Sequence, residues 1–227
     1  MKITWLGQAG LLIERGEATV MVDPYLSDSV VKVNPANYRR IPVENRFFDV
    51  SPDVMIFTHD HLDHYDPETA PVFLSKKDKP MTVLAPTSVW QKAHTIGGGH
   101  NYVEFNRMTE WTEYGFRFKA VRAVHSDPFA IGVIIEDSIS GKVVYITGDT
   151  LYNSEIFADL PEKVDVLFLP INGVGNNMNM TDAARFASRI GAKTVVPYHF
   201  GMFDSINPTR FDCGGAVVPE IYREFTV

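Results

Sequence analysis

The chain has 227 residues, 45% apolar and 22% charged, with a formal net charge of -7. Those proportions fit an ordinary globular chain with enough length for a sizeable core. The acidic balance and the lack of a basic block argue against a dedicated nucleic-acid footprint, no apolar run approaches the roughly 20 residues of a membrane span, and one cysteine, Cys213, allows no intrachain disulfide.

The amino terminus, M-K-I-T-W-L-G-Q-A-G-L-L-I-E, alternates and then turns. It lacks the apolar core and small-residue cleavage site of a signal peptide, and a single cysteine fits a reducing compartment. We therefore expect a cytoplasmic protein. Met1 to Trp5 and Gly10 to Glu14 read as two strands, and Ala18 to Val22 as a third that stops at Asp23-Pro24. Residues 30–48 read as a polar loop. Asp53 to Phe57 is a continuous apolar run of the kind found in buried strands. Pro67 to Leu74 and Ser88 to Ile96 read as helices, with Thr82 to Ala85 a strand between them. Further strands are expected at Phe116 to Val124, Ala130 to Glu136, Lys142 to Thr147, Val164 to Leu169 and Lys193 to Val196. Thr181 to Ile190 reads as a helix capped by Thr181 and closed by Gly191. No linker or repeat divides the chain, so a single domain over residues 1–227 is expected, with helices layered on sheets.

The chemistry gathers where strands end. Thr58 to Asp66 reads T-H-D-H-L-D-H-Y-D, holding three histidines and three aspartates in nine residues. It follows one apolar strand directly. His125, Asp149 in G-D-T and His199 follow three others. Ligands of α/β sheets gather beyond strand C-termini. If these ends share one edge, five histidines and two aspartates converge. Imidazole suits transition ions, and carboxylates balance the charge of two cations. His59 and His61, two apart, can reach the same side. Asp63 and His64 are adjacent and point differently, so one short segment can serve two metals.

The H-x-H-x-D-H pattern, with V-D-P at Val22 to Pro24, His125, G-D-T at Gly148 to Thr150 and Pro197 to His199, resembles the metallo-β-lactamase superfamily over nearly the whole chain. That resemblance implies an α/β fold, the four-layered αββα sandwich of the metallo-β-lactamase type. It implies that His59, His61 and His125 hold one metal, that Asp63, His64 and His199 hold a second, and that Asp149 bridges them. W-L-G-Q-A-G-L-L-I-E, N-G-V-G-N-N-M-N-M-T-D-A-A-R-F-A and P-Y-H-F-G-M-F look like the branch that includes ascorbate-6-phosphate lactonase. The implied cofactors are two divalent ions: zinc first, then manganese by likeness to that lactonase, then iron. A bound metal lowers the pKa of water from 15.7 to about 7, and Asp63 is expected to orient that nucleophile or take its proton.

The activity implied is hydrolysis of a small lactone, ester or phosphorylated substrate. The alternatives are a phosphodiesterase or nuclease on the same residues, and an iron-dependent oxygenase. Asn172, Asn176 and Tyr198 are candidate substrate contacts, because the Asn- and Gly-rich loop after Val164 to Leu169 offers amide donors near the expected edge. His94 and His100 read as surface or loop residues. Asp60 and Asp66 read as solvent-facing or capping, and Asp23 as either a turn residue or a brace behind a ligand. Small-molecule substrate is the expected partner, and a homo-oligomer is compatible with the sequence.

Overall fold

The computed structural model describes residues 1–226. In chain order its strands are β1 Lys2–Gly7, β2 Gly10–Arg15, β3 Ala18–Val22, β4 Val54–Ile56, β5 Thr82–Ala85, β6 Asn101–Glu104, β7 Glu110–Glu113, β8 Phe116–Arg122, β9 Ile131–Asp137, β10 Val143–Ile146, β11 Val166–Pro170, β12 Thr194–Tyr198 and β13 Glu224–Thr226. The α-helices are α1 Thr69–Leu74, α2 Thr87–Ala93 and α3 Met180–Ile190. The chain divides into two compact units. Among the described residues, one comprises 1–104, 201–205 and 220–226, and the other 105–200 and 206–219.

The first unit is built on a seven-stranded sheet in the order β13-β1-β2-β3-β4-β5-β6. β1, β2 and β3 form an antiparallel meander, and β3 to β6 run parallel. β4 and β5, in the middle of the parallel run, are buried at every position. This is why Val54 to Phe57 reads as unbroken apolar sequence rather than as an alternation. Phe57, Phe73, Leu74, Met55 and Val83 centre one apolar cluster under α1 and α2. Arg39 ties the carboxy-terminal segment to this unit. Its guanidinium donates to the Tyr25 and Ile41 carbonyls, at 2.6 and 2.8 Å, and to the Tyr222 hydroxyl at 2.5 Å.

The second unit carries a six-stranded sheet in the order β12-β11-β10-β9-β8-β7. β10, β11 and β12 are parallel to one another, while β9 is antiparallel to both β10 and β8. β8 therefore points the same way as β10, β11 and β12. The loops after these four strands leave from a single edge of the sheet. α3 packs Ala183, Phe186 and Ala187 inward, and Phe186 meets Phe157 at 5.1 Å and Tyr152 at 6.0 Å between ring centroids. The cap of this helix differs from the sequence expectation. Asn179, not Thr181, accepts the Asp182 N–H at 2.9 Å, so the helix begins one residue earlier. Gly191 closes it as expected at φ +68°, a left-handed conformation in which a side chain would be crowded.

Three strands have no counterpart among those expected: β6, β7 and β13. All three lie at sheet edges. Their sequences, NYVE, EWTE and EFT, are half polar because an edge strand is covered on fewer sides. The 30–48 segment contains two short 3-10 turns at Ser29–Lys32 and Asn45–Asp49 but no strand.

Candidate functional site

In the first unit, β4 delivers Phe57, Thr58 and His59 at its C-terminal end. The chain then turns, with the His64 and Tyr65 N–H groups donating to the His61 carbonyl at 3.0 and 2.8 Å. This turn folds His61, Asp63 and His64 back toward His59. The His59 ring lies 3.9 Å from the His64 ring and 4.6 Å from the His61 ring, centroid to centroid. His59 and His64 have no exposed surface.

His59 and His64 are held from behind. Asp23 is buried, and its Oδ1 accepts the Thr58 N–H at 2.8 Å. Its Oδ2 accepts the Thr58 hydroxyl and lies 2.8 Å from His64 Nδ1. A carboxylate can only accept, so Nδ1 carries a proton, and in the neutral imidazole Nε2 then keeps its lone pair. That Nε2 faces Asp63 Oδ2 at 4.0 Å. Thr58 Oγ1 also lies 3.0 Å from His59 Nδ1. The V-D-P turn is therefore a brace for the box. Asp66, by contrast, is buried and caps the start of α1 through the Glu68 N–H and the Thr69 hydroxyl. Asp60 pairs with Lys92 at 2.5 Å.

In the second unit, His125, Asp149 and His199 follow β8, β10 and β12. Asp149 Oδ2 is their focus: it lies 3.1 Å from His199 Nε2 and 4.0 Å from His125 Nε2. The Asn177 amide donates to the same oxygen at 2.7 Å. His199 Nδ1 is 3.0 Å from the Asn172 side-chain amide, and His125 Nδ1 is 3.3 Å from the Asn176 carbonyl. The loop expected to meet substrate thus reaches all three candidate ligands of this unit. Asn172 and Asn176 address imidazoles, and Asn177, which the sequence reading passed over, addresses the carboxylate. Tyr198 is fully buried with its ring 6.2 Å from Phe168, so as folded it presents no surface to a substrate.

The donor sets fit transition metal. Neutral imidazole and carboxylate are the ligand chemistry such ions take. A second group fixed on the far ring nitrogen is the usual arrangement around ligating histidines. His94 stands apart, stacked on Trp90 at 4.3 Å with Nδ1 on the Trp90 carbonyl. His100 Nδ1 accepts the Met81 N–H, in a structural role. Backbone conformation marks the same residues. Seven non-glycine residues have positive φ among those described, and Asp23, Asn176 and His199 are three of them. Such conformations cost energy and concentrate where function requires a particular geometry.

Comparison with known proteins agrees with this chemistry. The Beta-lactamase superfamily domain matches residues 2–199. A UPF0173 metal-dependent hydrolase of Ligilactobacillus salivarius is 32% identical over 218 residues, which is 91% of this chain and 88% of that protein. The metallo-beta-lactamase fold protein YhfI from Bacillus subtilis superposes with a TM-score of 0.72 at 19% identity, covering 99% of both chains. CmlA, a diiron beta-hydroxylase from Streptomyces venezuelae, gives a TM-score of 0.75 at 16% identity over 100% of this chain and 54% of that one. The fold is therefore that of the metallo-β-lactamases, an α/β αββα sandwich. The chain belongs to the beta-lactamase superfamily and is one of its metal-dependent hydrolases.

Proposed function

We propose that His59, His61, Asp63, His64, His125, Asp149 and His199 hold two divalent metal ions, and that the protein hydrolyses a small lactone, ester or phosphorylated substrate of the kind ascorbate-6-phosphate lactonase takes. The observation that carries this reading is the bracing of the candidate ligands. Asp23 on His64, Asn172 on His199 and Asn177 on Asp149 are side-chain contacts to ligand-type groups. Such groups are immobilised at a cost in conformational entropy, which a bound ion repays.

Bound metal of this kind supplies a water ionised near neutral pH and polarises the oxygen of the bond under attack. The chain's own residues do the rest. Asp63 sits on the same turn as His64 and can hold the proton of the attacking water or pass it to the leaving oxygen. Asn172 and Asn177 set the orientation of the His199 ring and the Asp149 carboxylate. Neither serine nor Cys213 is needed as a nucleophile.

Zinc is the ion we favour, with manganese next. The net charge of -7 supports a small-molecule substrate over nucleic acid, and we assign the protein to the cytoplasm. Among the described residues no helix is long and apolar enough to cross a membrane.

Elemental analysis of purified protein, joined to a panel of lactones, carboxylic esters, phosphomonoesters and a bis-aryl phosphodiester, tests the proposal. We expect close to two ions per chain and turnover of a lactone or ester that falls at least 100-fold in Asp63→Asn. Turnover confined to the phosphodiester, or bound iron with oxygen uptake and no ester cleavage, would overturn it.

A further inference from the structure

Gln8 sits in the turn between β1 and β2, far in sequence from every candidate ligand. It is 2% exposed, and its side-chain amide reaches Asp63, with Nε2 donating to Oδ2 at 2.8 Å. A carboxylate has no proton to offer here, so the amide must present its nitrogen and the orientation is unambiguous. The oxygen that Gln8 engages is the one facing His64 Nε2 at 4.0 Å.

The backbone under Gln8 is unusual. Its φ is +50°, in the left-handed region that glycine occupies at little cost. Gly7 precedes it at φ +91°, a backbone conformation that side-chain-bearing residues rarely adopt, so that position favours glycine. Position 8 carries a long side chain where glycine would be less strained. The Trp5 indole N–H donates to the Gln8 carbonyl at 2.9 Å and fixes the turn in this conformation. Trp5 itself is 4% exposed. This strained residue spans 55 positions in sequence to reach one carboxylate oxygen.

We infer that Gln8 is a positioning residue for Asp63, locking its carboxylate in the rotamer that serves the metal centre. This rests on the reading of Asp63 as a metal ligand given above. Gln8 touches neither metal nor substrate in this role. It acts by removing the freedom of Asp63 to swing away, and Trp5 secures it in turn.

The test uses the whole chain and reads metal affinity directly, by chelator competition with zinc. Gln8→Gly deletes the amide while relieving the backbone, so a purely structural role predicts unchanged metal binding and equal or higher melting temperature of the metal-free protein. We expect that melting temperature to hold or rise, while zinc affinity falls about 10- to 100-fold, the range for outer groups that orient ligands. Gln8→Asn, which tolerates positive φ but is one methylene shorter, is expected to recover only part of the loss. Asp63→Asn and the double variant complete a cycle. If Gln8 acts through Asp63, its effect disappears in the Asp63→Asn background.

Wild-type zinc affinity in Gln8→Gly, with a clear loss in Asp63→Asn, would overturn the role of Gln8 and leave Asp63 as a ligand. Wild-type affinity in Asp63→Asn would overturn both. An equal Gln8→Gly loss in the two backgrounds would show a route that does not pass through Asp63, and that too would overturn the inference.

Discussion

Asp23 Oδ2 lies 2.8 Å from His64 Nδ1, and both side chains are buried, at 1% and 0% exposure. This one contact fixes the tautomer of His64. It aims Nε2 away from the β3 turn and toward Asp63. Asp23 adopts φ +41° to make it, a conformation that aspartate tolerates better than most residues.

Asp23→Asn keeps the shape and removes the charge. An amide can still accept from His64 through an oxygen in the Oδ2 position, but its nitrogen then opposes the Thr58 N–H donor. We expect zinc affinity to fall about 10- to 100-fold, as is usual when a group behind a metal ligand is replaced, with turnover reduced alongside. Chelator competition measures it, and affinity within twofold of wild type would show that His64 does not need this partner.

Asn177→Ala removes the 2.7 Å donor to Asp149 Oδ2 while leaving the loop backbone in place. A hydrogen bond to a charged group contributes about 1.5 to 3 kcal/mol, so the loss should be visible both in metal affinity and in turnover. Asn172→Ala is expected to act on His199 instead. The two variants should differ in one respect: Asn172→Ala frees an imidazole to rotate, so its activity should recover more at saturating metal. A metal titration of activity for both variants checks this.

Acid stability should depend on Asp165. Burial pushes its carboxyl up, but Lys193, the Val143 N–H and Lys163 outweigh that and pull it down to about 2. The contacts are 2.9 Å to Lys193, 3.0 Å to the Val143 nitrogen and 3.1 Å to Lys163. An unfolded aspartate titrates near 3.9. The folded value is therefore depressed. The stabilisation is complete above about pH 4 and fades as pH falls toward 2. Both lysines are largely exposed, so solvent screening holds the contribution to roughly 1 kcal/mol. Asp165→Asn should lower the melting temperature at pH 7, and the gap from wild type should close between pH 4 and pH 2 in a series of thermal melts.

Asn179→Ala tests the helix cap that the sequence misassigned. Losing the 2.9 Å bond to the Asp182 N–H should cost about 1 kcal/mol, whereas Thr181→Ala should cost well under half of that. Urea denaturation of the two variants separates them. The reverse order would mean that Thr181 caps the helix in solution.

The sequence by itself determined the class of chemistry and most of the frame. Buried strands announce themselves as apolar runs, and His59, His125, Asp149 and His199 each stand just past the end of one. Their residue types name a metal before any coordinate is drawn. The sequence also placed α3 correctly but read its cap from Thr181, because Thr and Asn can both cap and only backbone angles choose between them. The edge strands β6, β7 and β13 were illegible because short, half-polar strands leave no apolar run or regular alternation.

What only the tertiary structure decided is which residues stand behind the candidate ligands. Gln8 with Asp63, Asp23 with His64, Asn172 with His199 and Asn177 with Asp149 are pairs separated by 55, 41, 27 and 28 positions. No periodicity links such pairs. Sheet register brings their backbones together, and a few positive-φ residues turn the side chains inward. The loop at Asn172 to Asn179 shows the difference plainly: its composition suggested amides for a substrate, and the fold directs those amides to His199 and Asp149.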